Sequence, residues 1–153
     1  MVEIRQATTG DVRQLLALVA EYWAFEGIAG FVPERVAAQL SRLLSSAELG
    51  AGWMAVEEGE AVGYLLAVQV FSLEYLGLTA EIDEFFVLAS QRGRGVGAAL
   101  LNTAEAEFGR RGYTQVSLQL SRTNPSALQF YRGLGYAQRA DYGLLDKPLG
   151  LNA

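Results

Sequence analysis

The chain has 153 residues, of which 51% are hydrophobic and 19% charged, so it is long enough and apolar enough to bury a core as one domain. It contains neither cysteine nor histidine, which excludes disulfides, thiol nucleophiles, Ser-His-Asp triads and the usual metal sites for zinc. The net charge of -5 argues against a nucleic acid partner, and the absence of a signal peptide or a membrane-length apolar run predicts a cytoplasmic protein without a membrane partner.

The first half of the chain predicts a strand, two helices and a strand hairpin. In chain order these are a strand at 2–5, a helix capped by Thr8 or Thr9, a helix from Pro33, and strands at 53–56 and 61–71 around a Glu-Glu-Gly-Glu turn. Apolar residues recur at helical spacing in both predicted helices and fill the two predicted strands.

The second half predicts strand, helix, strand, helix and a last strand. In chain order these are a strand at about 79–88, a helix from Gly95 to before Gly112, a strand at 115–121, a short helix from Asn124 through Tyr131, and a last strand or strand pair after Gly135. The strand at 115–121 follows a crossing helix, so it can pair in parallel with the strand at 79–88. This order predicts a mixed sheet covered by helices, in one α/β or α+β layer domain over residues 1–153.

Charge is divided unevenly along the chain. Residues 1–90 hold 13 acids and 4 bases, a net charge of -9, whereas residues 91–153 hold 8 bases and 4 acids, a net charge of +4. This division suits a protein that presents acids to a cationic substrate and bases to an anionic cofactor. A solvated surface without a function would explain it equally well.

The segment Arg92-Gly93-Arg94-Gly95-Val96-Gly97 joins a predicted strand to a predicted helix. Glycines let the backbone approach a ligand closely, and the following helix points N–H groups into the turn, so an anion fits there. The guanidinium groups of Arg92 and Arg94 add positive charge. A turn that uses glycine only for tight geometry is the alternative.

Two familiar phosphate loops do not fit this segment. A Walker loop needs a lysine, and the only lysine of the chain is Lys147. A dinucleotide-binding Rossmann turn needs a further glycine and a later acid, but residue 98 is alanine and the next strand ends in Leu120-Ser121. The pattern Arg-x-x-Gly-x-Gly remains, and it predicts a site for the pyrophosphate of a nucleotide-type cofactor.

A second motif, Asn124-Pro125-Ser126-Ala127-Leu128-Gln129-Phe130-Tyr131 followed by Gly135-Tyr136, lies in register with the first. With both motifs the chain resembles the GNAT superfamily of acetyl-CoA-dependent N-acetyltransferases along nearly its whole length. The resemblance implies a GNAT-like acetyltransferase fold with a mixed, mostly antiparallel central sheet flanked by helices. It also implies acetyl-CoA as cosubstrate and direct attack by an amine.

The resemblance also implies which residues hold the cofactor. Backbone groups of the strand at 79–88 would pair with the pantetheine arm, the glycine turn would hold the pyrophosphate, and the second motif would add side-chain contacts. The residues so implied are Phe85, Phe86, Val87, Arg92, Gly93, Arg94, Gly95, Val96, Gly97, Ala98, Asn124 and Ser126. Tyr131 would be the acid that protonates the departing thiolate, with a buried structural tyrosine as the alternative.

Acetyl transfer needs a neutral amine, so a base must accept a proton directly or through water. The nearest carboxylates are Glu81, Asp83 and Glu84. Side chains alternate along a strand, so Asp83 and Glu84 should face opposite sides unless a bulge intervenes, and only one can face the acetyl group. Their apolar neighbours are expected to raise the pKa of such a carboxyl. A surface acid is the alternative for each.

The run Ile82-Asp83-Glu84-Phe85-Phe86-Val87 is similar to that of diamine acetyltransferases of the spermidine/spermine type, and so is the pair Phe25-Glu26 with the further acid Glu21. The likeness implies that Phe25, Glu26 and Asp83 bind the substrate, although Phe25 stands where a tyrosine is usual. The expected partners are a small-molecule amine and, through the segment from Tyr136, a second copy in a homodimer. A protein or peptide acceptor, or a non-catalytic acyl-CoA-binding regulatory domain, remains an alternative.

Overall fold

The computed structural model describes residues 1–150, which divide into one unit of residues 1–119 and a second that begins at Leu120. The helices and strands are β1 (Val2–Gln6), α1 (Val12–Glu26), α2 (Pro33–Leu44), β2 (Gly50–Glu57), β3 (Glu60–Ser72), β4 (Gly77–Val87), α3 (Val96–Arg110), β5 (Val116–Leu118) and α4 (Pro125–Gly133). Among these residues no helix combines the length and apolarity needed to cross a membrane.

The first unit carries a five-stranded sheet in the order β1-β2-β3-β4-β5. The three pairings from β1 to β4 are antiparallel, and β4 pairs with β5 in parallel. The parallel pairing is possible because α3 carries the chain back between β4 and β5. The prediction of a mixed, mostly antiparallel sheet flanked by helices is confirmed, as is the parallel pairing.

The turn between β2 and β3 follows the predicted hairpin. Glu58 and Gly59 both have positive φ angles, 52° and 81°. This is the backbone of a two-residue turn whose twist matches that of the flanking strands. The hairpin therefore fixes the register in which Glu57 lies opposite Glu60.

Apolar residues alternate between the two faces of the sheet. Met54 and Tyr64 lie opposite each other and belong to the core cluster that contains Leu15 and Leu40 of α1 and α2. On the other face, the Trp53 ring packs edge-on against Phe108 of α3, with 5.2 Å between ring centroids. The period of two along each strand thus places α1 and α2 on one face and α3 on the other.

At the corner between β1 and α1, Thr8 is a cap as predicted, but it caps a 3-10 turn that runs directly into α1 and not the α-helix itself. A short 3-10 turn, Thr9–Asp11, precedes α1, and Asp11 stands at the helix cap. The Asp11 carboxylate accepts hydrogen bonds from Arg5 Nη1 at 2.9 Å, Arg5 Nη2 at 2.7 Å and the Thr8 backbone N at 2.8 Å. These hydrogen bonds connect the Asp11 carboxylate to Arg5 of β1 and to Thr8. The 3-10 turn lies between β1 and the start of α1.

In the second unit, α4 begins as predicted. The Asn124 side chain accepts a hydrogen bond from the backbone N of Ala127, and Pro125 occupies the first turn. The predicted last strand after Gly135 is wrong for the residues up to 150, since none of them is in a strand. A strand needs a partner along its backbone, whereas Tyr136 N and Tyr142 N bond to carbonyls only a few residues earlier.

Candidate active site

The glycine turn leads from β4 into α3. Gly93 and Gly95 have φ angles of 77° and 81°, in the left-handed region that glycine tolerates best. A Cβ built on either would meet nothing within 4 Å. Glycine is therefore required here by the backbone conformation, and the space beside the turn is open to an approaching ligand.

The start of α3 offers hydrogen-bond donors at this turn. Gly95 is the N-cap residue, and its carbonyl accepts the bond from Ala99 N at 3.0 Å. The N–H groups of Val96, Gly97 and Ala98 therefore precede the first intrahelical donor, which is Ala99 N. Gly95 has no side chain to cap them, so this helix end is suited to an anion.

Both arginines of the turn also bond within the chain. Arg92 Nε donates to the Val87 carbonyl at 2.9 Å, and its guanidinium carbon lies 4.9 Å from the centroid of the Phe25 ring. Arg94 Nη1 donates to Gln91 Oε1 at 2.6 Å, and Gln91 Nε2 in turn donates to Glu57 Oε2 at 2.7 Å. These contacts hold the turn against β2 and β4 and keep two positive charges beside the helix end.

The edge of β4 beside this turn is only partly covered by β5. β5 pairs with Ala80, Glu81 and Ile82, whereas β3 pairs with β4 as far as Val87. Beyond Ile82 the outer edge of β4 therefore has no strand partner among residues 1–150. Phe85, Phe86 and Val87 lie along this edge, where backbone groups can bond to an extended ligand.

Residues of α1, α2, β3 and β4 enclose a cavity of about 330 Å³. Its polar lining comes from Arg35 and Gln39 on α2 and from Asp83 and Glu84 on β4. The remaining lining residues are Val19, Trp23, Gly30, Val32, Val36, Leu40, Leu43 and Leu66. The cavity is thus a mainly apolar space of small-molecule size with two carboxylates in its lining.

A bulge brings both carboxylates to this cavity. Leu66 pairs with Glu84 and Ala67 pairs with Ile82, so Asp83 is an extra residue in β4. The extra residue interrupts the alternation of side chains along the strand. Asp83 and Glu84 were expected to face opposite sides unless a bulge intervenes, and this bulge is present.

Glu84 is held by two donors. Trp23 Nε1 donates to Glu84 Oε2 at 2.8 Å, and Tyr64 Oη donates to Glu84 Oε1 at 2.8 Å. Burial and the charge of Asp83 raise the pKa of Glu84, and the two hydrogen bonds oppose part of that rise. Desolvation also raises the pKa of Asp83, whose side chain is more exposed. The predicted rise in carboxyl pKa is confirmed, and it makes both groups better bases.

Tyr22 lies close to Phe86 and to the carboxylates of β4, which the sequence did not predict. Its ring centroid lies 5.8 Å from that of Phe86. Burial and the charges of Glu26, Glu84 and Asp83 raise the pKa of Tyr22 to about 12. The hydroxyl therefore stays protonated within electrostatic reach of three acids. The available signal was the spacing of Tyr22 and Glu26, four residues apart on one helix.

Trp23 and Tyr64 were also missed. Each carries a donor that bonds Glu84 across a distance of many residues in sequence, 61 for Trp23 and 20 for Tyr64. The sequence placed Trp23 on an apolar helix face and Tyr64 inside a strand. Neither position by itself indicates a polar contact with β4.

Only one of the three residues predicted to bind the substrate lines this cavity. Asp83 lines the cavity, but Phe25 and Glu26 are not among its lining residues. Phe25 is 61% exposed and packs beside Phe86, with 6.1 Å between ring centroids. Glu26 is exposed at the end of α1, close enough to Tyr22 for its charge to act there. Phe25 therefore lies beside Arg92, and Glu26 lies near Tyr22.

The predicted residues of the second motif lie in the second unit. Asn124 Oδ1 accepts from Ser126 Oγ at 3.0 Å and from Ala127 N at 3.2 Å, so both side chains shape the start of α4. Tyr131 is partly buried, and its ring centroid lies 5.2 Å from that of Phe130 and 5.7 Å from that of Tyr136. The cofactor contacts of Asn124 and Ser126 and the acid role of Tyr131 stay predictions.

Several known proteins are similar to this chain in sequence and in architecture. Residues 14–136 match the acetyltransferase (GNAT) family. The chain is 28% identical over 156 residues to the aminoglycoside N(6')-acetyltransferase type 1 of Klebsiella aerogenes, covering 95% of this chain and 96% of that protein. It is 30% identical over 143 residues to the aminoalkylphosphonate N-acetyltransferase of Salmonella typhimurium, covering 89% and 85%.

Among solved structures, an integron cassette protein from the mobile metagenome of Cole Harbour Salt Marsh matches with a TM-score of 0.85 at 30% identity, covering 95% of this chain and 90% of that one. The match to the family covers most of the chain, including the glycine turn, β4 and the second motif. The chain therefore belongs to the acetyltransferase (GNAT) family, as an acetyl-CoA-dependent N-acetyltransferase.

Proposed function

We propose that the chain transfers the acetyl group of acetyl-CoA to the primary amine of a small cationic molecule. The acceptor is a polyamine, a diamine or an amino-acid analogue. The observation that carries this proposal is the β4 bulge, which places Asp83 and Glu84 together in the lining of a small cavity. Two carboxylates attract an ammonium group, and a raised pKa equips them to accept its proton.

Acetyl-CoA is proposed to bind along the open edge of β4 and over the glycine turn. Backbone groups from Phe85 to Val87 bond the pantetheine arm, and the N–H groups from Gly93 to Ala98 hold the pyrophosphate. The left-handed backbone at Gly93 and Gly95 and the uncapped start of α3 support this assignment. Arg92 and Arg94 supply positive charge, while Asn124 and Ser126 contact the cofactor from the second motif.

The reaction needs one proton acceptor and one proton donor. Glu84 or Asp83 accepts a proton from the substrate ammonium, which frees the nitrogen lone pair to attack the thioester carbonyl carbon. As the new C–N bond forms, the C–S bond breaks and the thiolate leaves. Tyr131 donates a proton to that thiolate. The nitrogen loses its second proton as the neutral amide forms, which restores Tyr131, and the carboxyl group releases its proton to solvent. The chain has no cysteine, so direct transfer without a cysteine acyl-enzyme is proposed.

The proposal of a particular acceptor class rests on sequence similarity in one short segment of β4. The run from Ile82 to Val87 supports an acceptor of the spermidine/spermine type. The relatives named for aminoglycosides and aminoalkylphosphonates add two further acceptor classes to be tested. The small cavity favours a small molecule over the alternative of a protein or peptide acceptor.

An acetyl-CoA consumption screen over polyamines, amino acids, aminoglycosides, aminoalkylphosphonates and N-terminal peptides tests this function. We expect turnover with a small amine, and loss of turnover in Asp83→Asn or Glu84→Gln. Glu81→Gln is the matched control, because Glu81 lies on β4 outside the cavity lining and accepts a bond from Gln119. Tight acetyl-CoA binding without turnover of any amine would support a non-catalytic acyl-CoA-binding domain instead.

We further propose that residues 1–153 form one domain that acts as a homodimer in the cytoplasm. The exposed apolar side chains near the C-terminus, Tyr142, Leu144, Leu145 and Leu149, support an interface there. Light scattering measures the mass in solution, and a monomeric mass at working concentration would contradict the dimer. A single unfolding transition is expected of one domain.

A further inference from the structure

The guanidinium of Arg92 contacts two aromatic rings that come from different elements. Its central carbon lies 4.9 Å from the centroid of the Phe25 ring at the end of α1 and 5.5 Å from that of the Phe86 ring on β4. The centroids of these two rings are 6.1 Å apart. Arg92 therefore connects the last turn of α1 to the strand and the turn at which acetyl-CoA is proposed to bind.

The two rings differ in how firmly the rest of the chain holds them. Phe86 is 8% exposed and belongs to the core cluster, where the rings of Tyr22 and Tyr64 pack beside it. Phe25 is mostly exposed, and its ring packs on Phe86 from outside the core cluster. Removal of the Phe25 ring should therefore change the surroundings of Arg92 more than the stability of the core.

These contacts restrict the Arg92 side chain before any ligand binds. A free arginine side chain has many rotamers, and ordering it upon binding reduces affinity. Here Arg92 Nε already donates to the Val87 carbonyl at 2.9 Å, and cation–π attraction holds the guanidinium against the rings. The carbonyl bond uses Nε, so both Nη groups of the planar fork can donate to a phosphate.

The same arrangement disfavours an acceptor ammonium group on the Phe25 ring. A cation binds to an aromatic ring over its face, and the guanidinium of Arg92 already lies over the face of Phe25. A second cation at that place would be repelled by Arg92. Phe25 is also outside the lining of the cavity that contains Asp83 and Glu84.

We infer that Phe25 is a positioning residue for acetyl-CoA, whose ring holds the guanidinium of Arg92 at the glycine turn. The inference rests on the proposed function, in which Arg92 contributes to the cofactor site. It moves Phe25 from the acceptor side, where the likeness to diamine acetyltransferases places it, to the cofactor side.

Calorimetric titration with acetyl-CoA tests the inference. Phe25→Leu keeps an apolar side chain but removes the ring face, and it should raise the dissociation constant by about threefold to tenfold. Phe25→Tyr keeps the ring and should bind acetyl-CoA as the wild type does. Phe71→Leu is the matched control, because Phe71 is 67% exposed against 61% for Phe25 and lies on β3 opposite Leu78, away from Val87. It should bind normally, and melting temperatures report whether each variant remains folded.

A double-mutant cycle with Arg92→Gln shows whether the ring acts through the arginine. If it does, Phe25→Leu raises the dissociation constant of acetyl-CoA in the wild type but has no further effect in Arg92→Gln. An equal rise in both backgrounds would mean that the ring acts without Arg92, and it would overturn the inference.

Steady-state kinetics with the best amine from the acceptor screen separates the two sides of the site. At saturating acetyl-CoA, Phe25→Leu should leave kcat and the KM of the amine within about twofold of the wild-type values, while the KM of acetyl-CoA rises. A rise in the KM of the amine with unchanged acetyl-CoA affinity would make Phe25 an acceptor residue and overturn the inference.

The outcomes also separate the inference from the function on which it rests. If Arg92→Gln weakens acetyl-CoA binding and folded Phe25→Leu binds like the wild type, the cofactor site stands and the role of Phe25 is wrong. If the wild-type protein does not bind acetyl-CoA, the proposed function itself fails, and the inference fails with it.

Discussion

At the scale of single residues, the pKa of Glu84 is set by effects that act in opposite directions. Burial and the neighbouring Asp83 raise its pKa, whereas donation from Trp23 and Tyr64 lowers it. The two donors also fix the orientation of the carboxylate, with one bond to each oxygen. The position of this proposed base is therefore fixed by donors of the chain itself.

Tyr64→Phe separates the two candidate bases. The change removes one hydrogen bond that lowers the pKa of Glu84 and keeps the buried ring. The pKa of Glu84 should therefore rise further, and the acidic limb of the kcat/KM profile should move to higher pH. Tyr113→Phe, which deletes a hydroxyl that bonds Gln69, is the control and should leave the limb in place. An unmoved limb in Tyr64→Phe would assign the base to Asp83.

Asp11 contributes to stability rather than to the site. Its bonds from Arg5 and Thr8 lower its pKa from 3.8 to about 2. A carboxyl whose pKa is lowered by folding stabilises the protein above its unfolded pKa and loses that contribution as the pH falls from about 4 toward 2. We therefore expect Asp11→Asn to cost about 2 kcal/mol at neutral pH and progressively less in acid.

Urea unfolding at neutral and acidic pH measures this difference. Glu107→Gln is the comparison, because Glu107 also has a pKa lowered to about 2, by Arg110 and Arg111. Arg110 is a solvent-exposed partner at 72% side-chain exposure, and exposed ion pairs contribute little. Equal losses of unfolding free energy in the two variants would show that the Asp11 ion pair stabilises the protein no more than an exposed one does.

At the scale of elements, two irregularities of β4 create the candidate site. The bulge at Asp83 turns two successive carboxylates toward one cavity, and the early end of β5 at Leu118 leaves the outer edge of β4 open. The α3 helix then begins directly after the glycine turn. Acceptor side chains and backbone donors for a cofactor are thus brought together by one strand and the turn that follows it.

Gly95→Val tests the turn. Glycine has φ 81° here, so valine costs about 1–2 kcal/mol of backbone strain but meets no atom of the chain within 4 Å. The fold should persist while the dissociation constant of acetyl-CoA rises by about tenfold or more, because the new side chain occupies the space of the pyrophosphate. Isothermal titration calorimetry measures the binding.

A glycine just after the other end of α3 provides the control for that experiment. Gly112 follows α3 with φ 83° and also has nothing within 4 Å of its added Cβ. Gly112→Val therefore introduces similar strain away from the turn and should bind acetyl-CoA normally. Equal affinity in the two variants would remove the turn from the cofactor site.

At the scale of the whole molecule, the proposed reaction assigns roles to residues of both units. The first unit carries the cavity, the open edge of β4 and the glycine turn, and the second carries α4 with Tyr131. The family match continues from residue 14 to residue 136 and so includes parts of both. The acid role proposed for Tyr131 therefore also tests whether the two units act together.

Tyr131→Phe should lower kcat by about a hundredfold, the usual contribution of a general acid, with little change in acetyl-CoA affinity. Tyr136→Phe is the matched control, since its ring contacts that of Tyr131 and its loss of a hydroxyl should leave kcat near the wild-type value. Steady-state kinetics and calorimetry give the two quantities. Parallel loss of turnover and of cofactor affinity in Tyr131→Phe would assign it a structural role.

The sequence by itself determined the elements and the family. Helical and strand periodicity, the Glu58-Gly59 turn and the glycine turn depend on neighbours close in the chain, so their physical causes can be recognised without a structure. The predicted last strand after Gly135 failed because strand formation depends on a partner elsewhere.

Only the tertiary structure decided how the acceptor side is built. The bulge at Asp83 depends on the register between β3 and β4, which local patterns leave open. The bonds from Trp23 and Tyr64 to Glu84, and the presence of Arg35 in the same cavity, depend on the packing of α1 and α2 against the sheet. Contacts between residues far apart in sequence thus set the pKa values, the charges and the shape of the cavity proposed to bind the acceptor.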